Sequence, residues 1–264
     1  MHRRIVRRLP TVLLAALAAL PAAAAAAQGS DQNVSNDPLT PLGAVQTQNY
    51  FQPFLNGQTG TGADQLNVRG VLPHEAFGLP QLARITLPVA ASAWGPNGSV
   101  TGLGDITIFD LFVHTMDNLR LGAGPLAVAP AATSPALGAA KWQVGGQGIV
   151  SARHQWGLTA GFFSYQQSFD RQAQTIQLQP LLFYNLADGY YLRSSGIVSF
   201  DLAHRTTVVP VGLGLGRTIT LPQGRILNFF VEPQYAAIRN GEGVPTFQVY
   251  AGFNVQFPLG GGNR

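Results

Sequence analysis

Residues 247–257 read FQVYAGFNVQF, and this stretch decides the fold. Its odd positions hold Phe, Val and one Ala, whereas its even positions hold Gln, Tyr, Gly and Asn. Alternation with a period of two is typical of a β-strand with one apolar and one polar face. The pattern recurs upstream, helical periodicity is scarce, and we count twelve such runs. They begin near Gly43, Asp64, Gln81, Gly104, Leu119, Ala140, Trp156, Ala173, Gly189, Thr206, Arg225 and Thr246.

The polar faces of these runs carry few charges. Only 11% of the 264 residues are charged, the chain has one lysine, Lys141, and cysteine is absent. A soluble β-sandwich, the alternative fold, normally carries many Lys and Glu side chains on its wet face and edges. In hydrocarbon, a sheet must close on itself to pair its backbone, with apolar side chains outward and polar ones inward. The sequence therefore predicts an all-β chain, a transmembrane antiparallel β-barrel of about twelve strands of the outer-membrane type.

The first 27 residues are typical of a secretory signal peptide. Four arginines between residues 3 and 8 precede the apolar residues 9–20 and a small-residue site at residues 25–27. We expect cleavage before Gln28, a retained membrane anchor being the alternative. The expected mature chain has a flexible segment (28–42), the barrel (43–258) and a tail (259–264).

Charge and hydropathy exclude two classes of protein. Removal of the signal peptide leaves twelve basic and twelve acidic residues, without the basic cluster that nucleic-acid binding requires. No later stretch has 18 continuous apolar residues, so a helical membrane bundle is also excluded.

Connection lengths and aromatic residues predict an orientation in the membrane. Short connections alternate with longer ones, as the short periplasmic turns and long outer loops of such barrels do, which places both termini in the periplasm. Residues 73–80, too long for a turn, and 203–205, too short for an outer loop, do not fit. Aromatic side chains concentrate at membrane interfaces. On this register, such residues near strand ends are Trp142, Trp156, Tyr190 and Phe257.

Five prolines fall inside the predicted strands, where each removes a hydrogen bond of the ladder. Either some strands are shorter than predicted, or the wall is locally opened there. These residues are Pro88, Pro125, Pro180, Pro210 and Pro233.

Ten charged or titratable side chains point inward on this register. One interpretation is a mildly basic lumen that attracts anions or carboxylated aromatic compounds. The other is that the charges pair with one another and simply fill the lumen. The predicted lumen residues are Arg69, Arg84, Asp110, His114, Arg120, Lys141, Arg153, Arg193, Asp201 and Glu232.

Enzymatic and metal chemistry find little support. His154 with Ser151, or His204 with Ser194, could serve an outer-membrane acyl hydrolase, but no Gly-x-Ser-x-Gly motif is present. The histidines are widely spaced, without a His-x-x-x-His motif or clustered carboxylates, so we expect neither a metal site nor a cofactor.

Two resemblances to known groups support the barrel. Tyr250, Gly252, Val255 and Phe257 resemble the C-terminal signal by which bacterial outer-membrane barrels are recognised for assembly, although seven residues follow here. Further motifs along the chain are GLGD (102–105), KW (141–142), PVGLGLG (210–216), EPQY (232–235) and GFNVQFP (252–258). With these motifs in this order, the chain from about residue 46 to 258 resembles the bacterial family described as a component of the MetA pathway of phenol degradation, often labelled transporter or neuromedin U.

That resemblance implies an outer-membrane barrel that takes up small, often aromatic, organic compounds. We therefore expect a channel for passive uptake of small organic solutes, not an enzyme. Its expected partners are outer-membrane lipid, the barrel-assembly machinery and the solute. The alternatives are a barrel-borne lipid or ester hydrolase and a structural, non-conducting barrel.

Overall fold

The structure, a computed structural model, describes residues 29–259. The predicted signal peptide and the last five residues lie outside this range. The described part is mostly β-strand, with one α-helix, α1 (Gly29–Asn36), and two short 3₁₀ turns, Ala187–Gly189 and Pro222–Gly224. The strands are β1 Gly43–Leu55, β2 Gly62–Ala76, β3 Leu79–Gly95, β4 Gly98–Gly102, β5 Ile106–Met116, β6 Leu119–Ala129, β7 Gln143–His154, β8 Gly157–Ser168, β9 Gln174–Asn185, β10 Tyr190–Ser194, β11 Val198–Asp201, β12 Thr206–Gly212, β13 Gly214–Leu221, β14 Arg225–Asn240 and β15 Pro245–Phe257.

These strands form a closed antiparallel barrel with twelve positions in its wall. β10 and β11 share one position, β12 and β13 share another, and β4 pairs only with β3 as a hairpin. The barrel closes where β1 pairs with β15, from Gly43 opposite Phe257 to Leu55 opposite Pro245. The predicted twelve-stranded barrel is thus confirmed, and each observed wall strand begins within three residues of its predicted start.

The two faces of the wall differ in polarity as the alternation predicts. Along β14, Asn228, Glu232 and Gln234 are buried, whereas their neighbours Phe229 and Val231 are exposed on the outside. Burial of polar side chains requires hydrogen-bond partners, which the enclosed interior supplies. Apolar side chains that face outward suit a hydrocarbon environment.

The connections lie at two ends of the barrel, which we call the turn end and the loop end. At the turn end, Phe77 and Gly78 alone join β2 to β3, both with positive φ, as a tight hairpin turn requires. The expected long connection at residues 73–80 was therefore wrong, because Pro73 and Pro80 lie within the paired ends of β2 and β3. At the loop end, the longest connection runs from residue 130 to 142.

The strands continue through the five prolines, but the wall is interrupted at three of them. Val89, next to Pro88, is bulged, and the register of β12 against β14 shifts at Pro210. Opposite Pro180, the ladder stops at Ser194 and resumes at Val198, which separates β10 from β11. Prolines are tolerated at bulges and edges because the missing N–H group breaks no ladder bond there.

This break predicts local differences in amide hydrogen exchange. Amides of Gly196 and Ile197 should exchange at least about tenfold faster than those of Phe162 and Phe163 in continuous β8, because ladder bonds protect amides. Exchange measured by mass spectrometry on the detergent-solubilised barrel tests this. Equal protection of the two segments would contradict the observed break.

The N-terminal segment, residues 29–42, comprises helix α1 and the chain that leads from it into β1. Its helix α1 is followed by a turn in which the Leu39 amide donates to Asp37 Oδ1 at 2.9 Å. Most of its described side chains, polar ones and Leu39 alike, are buried inside the barrel mouth. Within residues 29–259, no helix has the length and hydropathy needed to cross a membrane.

Candidate functional site: the barrel lumen

The N-terminal segment lies across the turn end of the lumen and bonds to strands around it. Gln32 Nε2 donates to the carbonyl oxygens of Leu186 and Tyr190, at 3.2 and 2.8 Å. Asn33 Nδ2 donates to the carbonyl oxygen of His154 at 3.0 Å. From strand β15, Gln256 Nε2 donates to the carbonyl oxygen of Ser35 at 2.8 Å. The segment therefore closes the mouth with polar contacts to several strands.

Asp37 holds the segment in place by electrostatic contacts. Its side chain is fully buried, and Oδ2 lies 2.7 Å from Arg153 Nη2 and 3.3 Å from Arg120 Nη1. Arg153 Nε adds a third contact at 3.1 Å. A buried carboxylate requires such partners, and removing one partner of a buried pair costs about 3–5 kcal/mol.

Leu39 anchors the segment by apolar contacts. This residue has no exposed surface and packs in a cluster with Leu82, Leu111 and Leu126 of the wall. One side of the inner wall is therefore apolar near the turn end. Full burial of a leucine side chain contributes about 1.5–3 kcal/mol.

Above the segment, arginines and aromatic rings form a belt around the lumen. Arg193 lies over the Phe230 ring at 3.5 Å from its centre, and Arg84 over the Phe109 ring at 4.2 Å. Tyr50 and Tyr250 stack with ring centres 4.4 Å apart. Arginine over an aromatic face is a favourable contact when water is excluded. The belt comprises Arg69, Arg84, Arg193, Tyr50, Tyr250, Phe109, Phe162, Phe183 and Phe230.

One arginine of the belt is neutralised by a buried carboxylate. Glu232 is fully buried, and its Oε2 accepts hydrogen bonds from Arg193 Nε at 2.8 Å and Ser195 Oγ at 2.6 Å. Its Oε1 accepts from the Ser195 amide at 2.7 Å and from Gln234 Nε2 at 2.8 Å. Because Ser195 lies at the break between β10 and β11, Glu232 supplies an acceptor that the interrupted ladder lacks.

The other two arginines of the belt have no acidic partner. Among residues 29–259, six ion pairs occur, and neither Arg69 nor Arg84 takes part in any of them. Arg69 donates to Gln48 Oε1, and the Nε atoms of both arginines are buried without a hydrogen-bond partner. The lumen thus carries two uncompensated positive charges at the belt.

The lumen contains two cavities, one on each side of the belt. The one towards the loop end has a volume of about 370 Å³ and is lined by Tyr50, Gln234 and Gln248, among others. The one between the belt and the N-terminal segment has a volume of about 100 Å³ and is lined by Arg69, Arg84 and Asp37, among others. The lumen is therefore narrow and divided, but it is not packed solid.

The loop of residues 130–142 partly covers the loop end. Asp105 holds it through backbone amides, because Oδ1 accepts from Ala131 and Ala132 at 3.1 and 3.0 Å, and Oδ2 from Ala140 at 3.0 Å. The loop then places Leu137 in the lining of the larger cavity. Asp105 is thus a residue that shapes the loop-end opening.

Six of the ten predicted lumen residues have their side chains inside the barrel. Arg120 and Arg153 contact Asp37, and the other four belong to the belt or to its Glu232 partner. Both interpretations of the charges apply in part, since some pair and two do not. The six are Arg69, Arg84, Arg120, Arg153, Arg193 and Glu232.

Asp110 and His114 lie on the outer face, which corrects the predicted register of β5. Their neighbours Phe109, Leu111 and Val113 point inward, where they pack with the Leu39 cluster. Because β5 is apolar on both faces, its few polar residues wrongly indicated the lumen side. Asp110 instead pairs outside with His74, whose Nε2 lies 3.0 Å from Oδ1.

Lys141 and Asp201 lie at the loop end rather than in the lumen, which is a second correction. Lys141 Nζ lies 2.5 Å from Asp170 Oδ2 in an exposed pair between two loops. Hydrogen bonds from Lys141, Ser168 and the Gln172 amide lower the pKa of Asp170. Asp201 is the last residue of β11, and its Oδ2 lies 2.8 Å from His204 Nδ1. Lys141 lies in a loop and Asp201 at the end of a strand, where the alternation of side chains along a strand no longer fixes their direction.

The geometry does not assemble the proposed hydrolase residues. His154 Nε2 bonds to Thr159 Oγ1 at 2.9 Å and its ring stacks on Trp156, whereas Ser151 is fully buried on the inner face. His204 lies at the loop end with Asp201 as its partner. Within residues 29–259, no group of three or more His, Asp or Glu residues could hold a metal ion.

Sequence reasoning did not identify Asp37, Tyr50 or the lumen role of Tyr250. Asp37 lies in a Pro-containing polar stretch, without periodicity to place it. Tyr50 and Tyr250 occupy polar-face positions of their strands, so alternation alone could have indicated that they face the lumen. The four residues of the predicted assembly signal lie in β15, which closes the barrel against β1.

Comparisons with known proteins address the fold. A scan against models of protein families gave no match, and a search of curated protein sequences gave none either. Among solved structures, the chain is similar to an outer membrane channel from Pseudomonas putida, with a TM-score of 0.61 and 14% identity over 82% of this chain and 94% of that one.

An anion-selective porin from Comamonas acidovorans aligns with a TM-score of 0.39 and 9% identity, over 82% of this chain and 98% of that one. The fold assignment rests on the first likeness alone. The chain therefore has the closed twelve-stranded barrel fold of an outer-membrane channel.

Proposed function

We propose that this chain is an outer-membrane channel through which small organic solutes, aromatic compounds included, move passively, and that its N-terminal segment gates the turn end. The observation that carries the proposal is a polar lumen with two cavities, the smaller of which is lined on one side by the N-terminal segment. Many of the contacts of this segment are hydrogen bonds that water can replace, which favours a reversible closure of the mouth.

The orientation follows from the connections of the wall. Short turns face the periplasm in barrels of this kind and long loops face outward, so the gate lies on the periplasmic side. Outer-membrane lipid contacts the exposed apolar faces, and the barrel-assembly machinery would read the last strand. The resemblance to the MetA phenol-degradation group, together with the aromatic belt, supports aromatic solutes.

Solute flux into proteoliposomes tests the proposal. Liposomes containing the mature chain should take up benzamide faster than protein-free liposomes, because the polar lumen offers a path past the bilayer. A variant lacking residues 29–40 serves as an open form. Benzamide flux that exceeds the protein-free background in neither protein would indicate a structural barrel instead.

A further inference from the structure

We propose that Arg69 and Arg84 form a binding site for the carboxylate of a small organic acid, whose apolar part contacts the aromatic rings of the belt. The proposal rests on the proposed channel function and names the class of solute that the channel holds in transit.

The wall places the two arginines side by side. Arg69 pairs with Thr86, and Arg84 pairs with Val71, so the two arginines are diagonal neighbours on β2 and β3. Both side chains line the smaller cavity, and both Nε atoms are buried without a partner. Each guanidinium presents a planar fork of N–H donors, which matches the two oxygens of a carboxylate.

The positive charges of Arg69 and Arg84 are not balanced by acidic groups in the lumen. Arg120 and Arg153 share Asp37, and Arg193 is paired with Glu232. Two neighbouring cations repel each other, and buried charges require partners. A ligand carboxylate between Arg69 and Arg84 would offset this repulsion.

Other unpaired polar groups surround the same cavity. Of the nine buried side-chain polar atoms without a partner in residues 29–259, six belong to residues that line it. Asn36 Nδ2 and Thr40 Oγ1 are further donors from the N-terminal segment, and both side chains are more than nine-tenths buried. Buried polar atoms are normally paired, so such a concentration points to a polar ligand.

The aromatic lining distinguishes an organic acid from an inorganic anion. Phe162, Phe230 and Tyr250 line the cavity together with the arginines. A planar apolar group gains contact area against these rings, whereas chloride or phosphate gains none. A binding site of this kind combines apolar walls with a few placed polar groups.

Flux of benzoate and benzamide through the full mature chain tests the site, because these solutes share a ring and differ in the carboxylate. We expect wild-type benzoate flux to saturate. Arg69→Gln or Arg84→Gln should each raise the half-saturating benzoate concentration about tenfold, and lower the ratio of benzoate to benzamide flux, since each removes one charged hydrogen-bond donor.

Two further variants distinguish a specific carboxylate-binding site from a general attraction of anions by positive charge. Arg84→Lys keeps the charge but removes the fork, so it should still raise the half-saturating concentration severalfold. Arg217→Gln is the matched control, because Arg217 lies over the Tyr190 ring near the turn Ala187–Gly189 and outside the cavity. Circular dichroism of each variant verifies that the barrel has folded.

The outcomes distinguish this proposal from the channel function. Benzoate flux that does not saturate, or that is equal in Arg84→Lys and wild type, overturns the site while the channel stands. Equal competition by chloride at the same concentration also overturns it, because an organic acid would then have no advantage. Flux of benzoate and benzamide no faster than in protein-free liposomes overturns the channel function itself.

Discussion

Deletion of residues 29–40 should raise the single-channel conductance of the barrel about tenfold or more. The segment fills the turn end, where Gln32, Asn33, Asp37 and Leu39 contact the wall on several sides. Without it, the lumen would be bounded at this end only by the wall strands, and conductance depends steeply on the narrowest point of a pore. Planar-bilayer recordings of both proteins measure the change.

Two single substitutions in the same segment refine this experiment. Asp37→Asn removes the buried charge between Arg120 and Arg153, so the variant should open more frequently than the wild-type barrel. Asp31→Asn is the matched control, since Asp31 is exposed and its Oδ2 accepts a hydrogen bond from Thr220 Oγ1 at 3.0 Å. If the deletion leaves conductance unchanged, the segment does not close the mouth.

Glu232→Ala should lower the free energy of unfolding by about 3–5 kcal/mol. The substitution leaves the buried Arg193 guanidinium without its carboxylate and the Ser195 amide without an acceptor. Urea-induced unfolding of the barrel in lipid vesicles, followed by tryptophan fluorescence, gives the difference.

Glu242→Ala is the matched control for Glu232→Ala, because Glu242 lies exposed in the loop before β15. Its substitution should change the free energy of unfolding by less than about 0.5 kcal/mol.

A double variant that combines Arg193→Met with Glu232→Leu should recover part of the lost stability, because it replaces both charges with apolar groups. Recovery should stay incomplete, since the Ser195 amide still lacks a partner. A change below about 1 kcal/mol in Glu232→Ala would contradict the structural role of this carboxylate.

Alternation was sufficient to predict the barrel and its twelve strands, because lipid outside and polar groups inside impose opposite chemistry on successive residues. It failed in β5, where Leu111 faces inward against Leu39 and both faces are consequently apolar. Residues 73–80 were wrongly predicted as a long connection because proline usually ends a strand. In the structure, Pro73 and Pro80 both lie in the paired ends of β2 and β3.

The site was only partly predictable. Arg69, Arg84 and Arg193 could be placed inside from their strand positions, but the pairing of Arg193 with Glu232 depends on contacts between strands far apart in sequence. The docking of the N-terminal segment could not be predicted, because its partners are single side chains and carbonyl groups on many strands, a pattern without sequence periodicity.

The docking of helix α1 also has a consequence for the order of assembly. Its hydrogen bonds join residues 121 to 221 positions apart in the chain, such as Asn33 to His154 and Ser35 to Gln256. Contacts of such long separation form late, after the intervening chain has been ordered. During biogenesis, the nascent cylinder therefore passes through a stage with an unobstructed base, and sealing it is the final step of maturation.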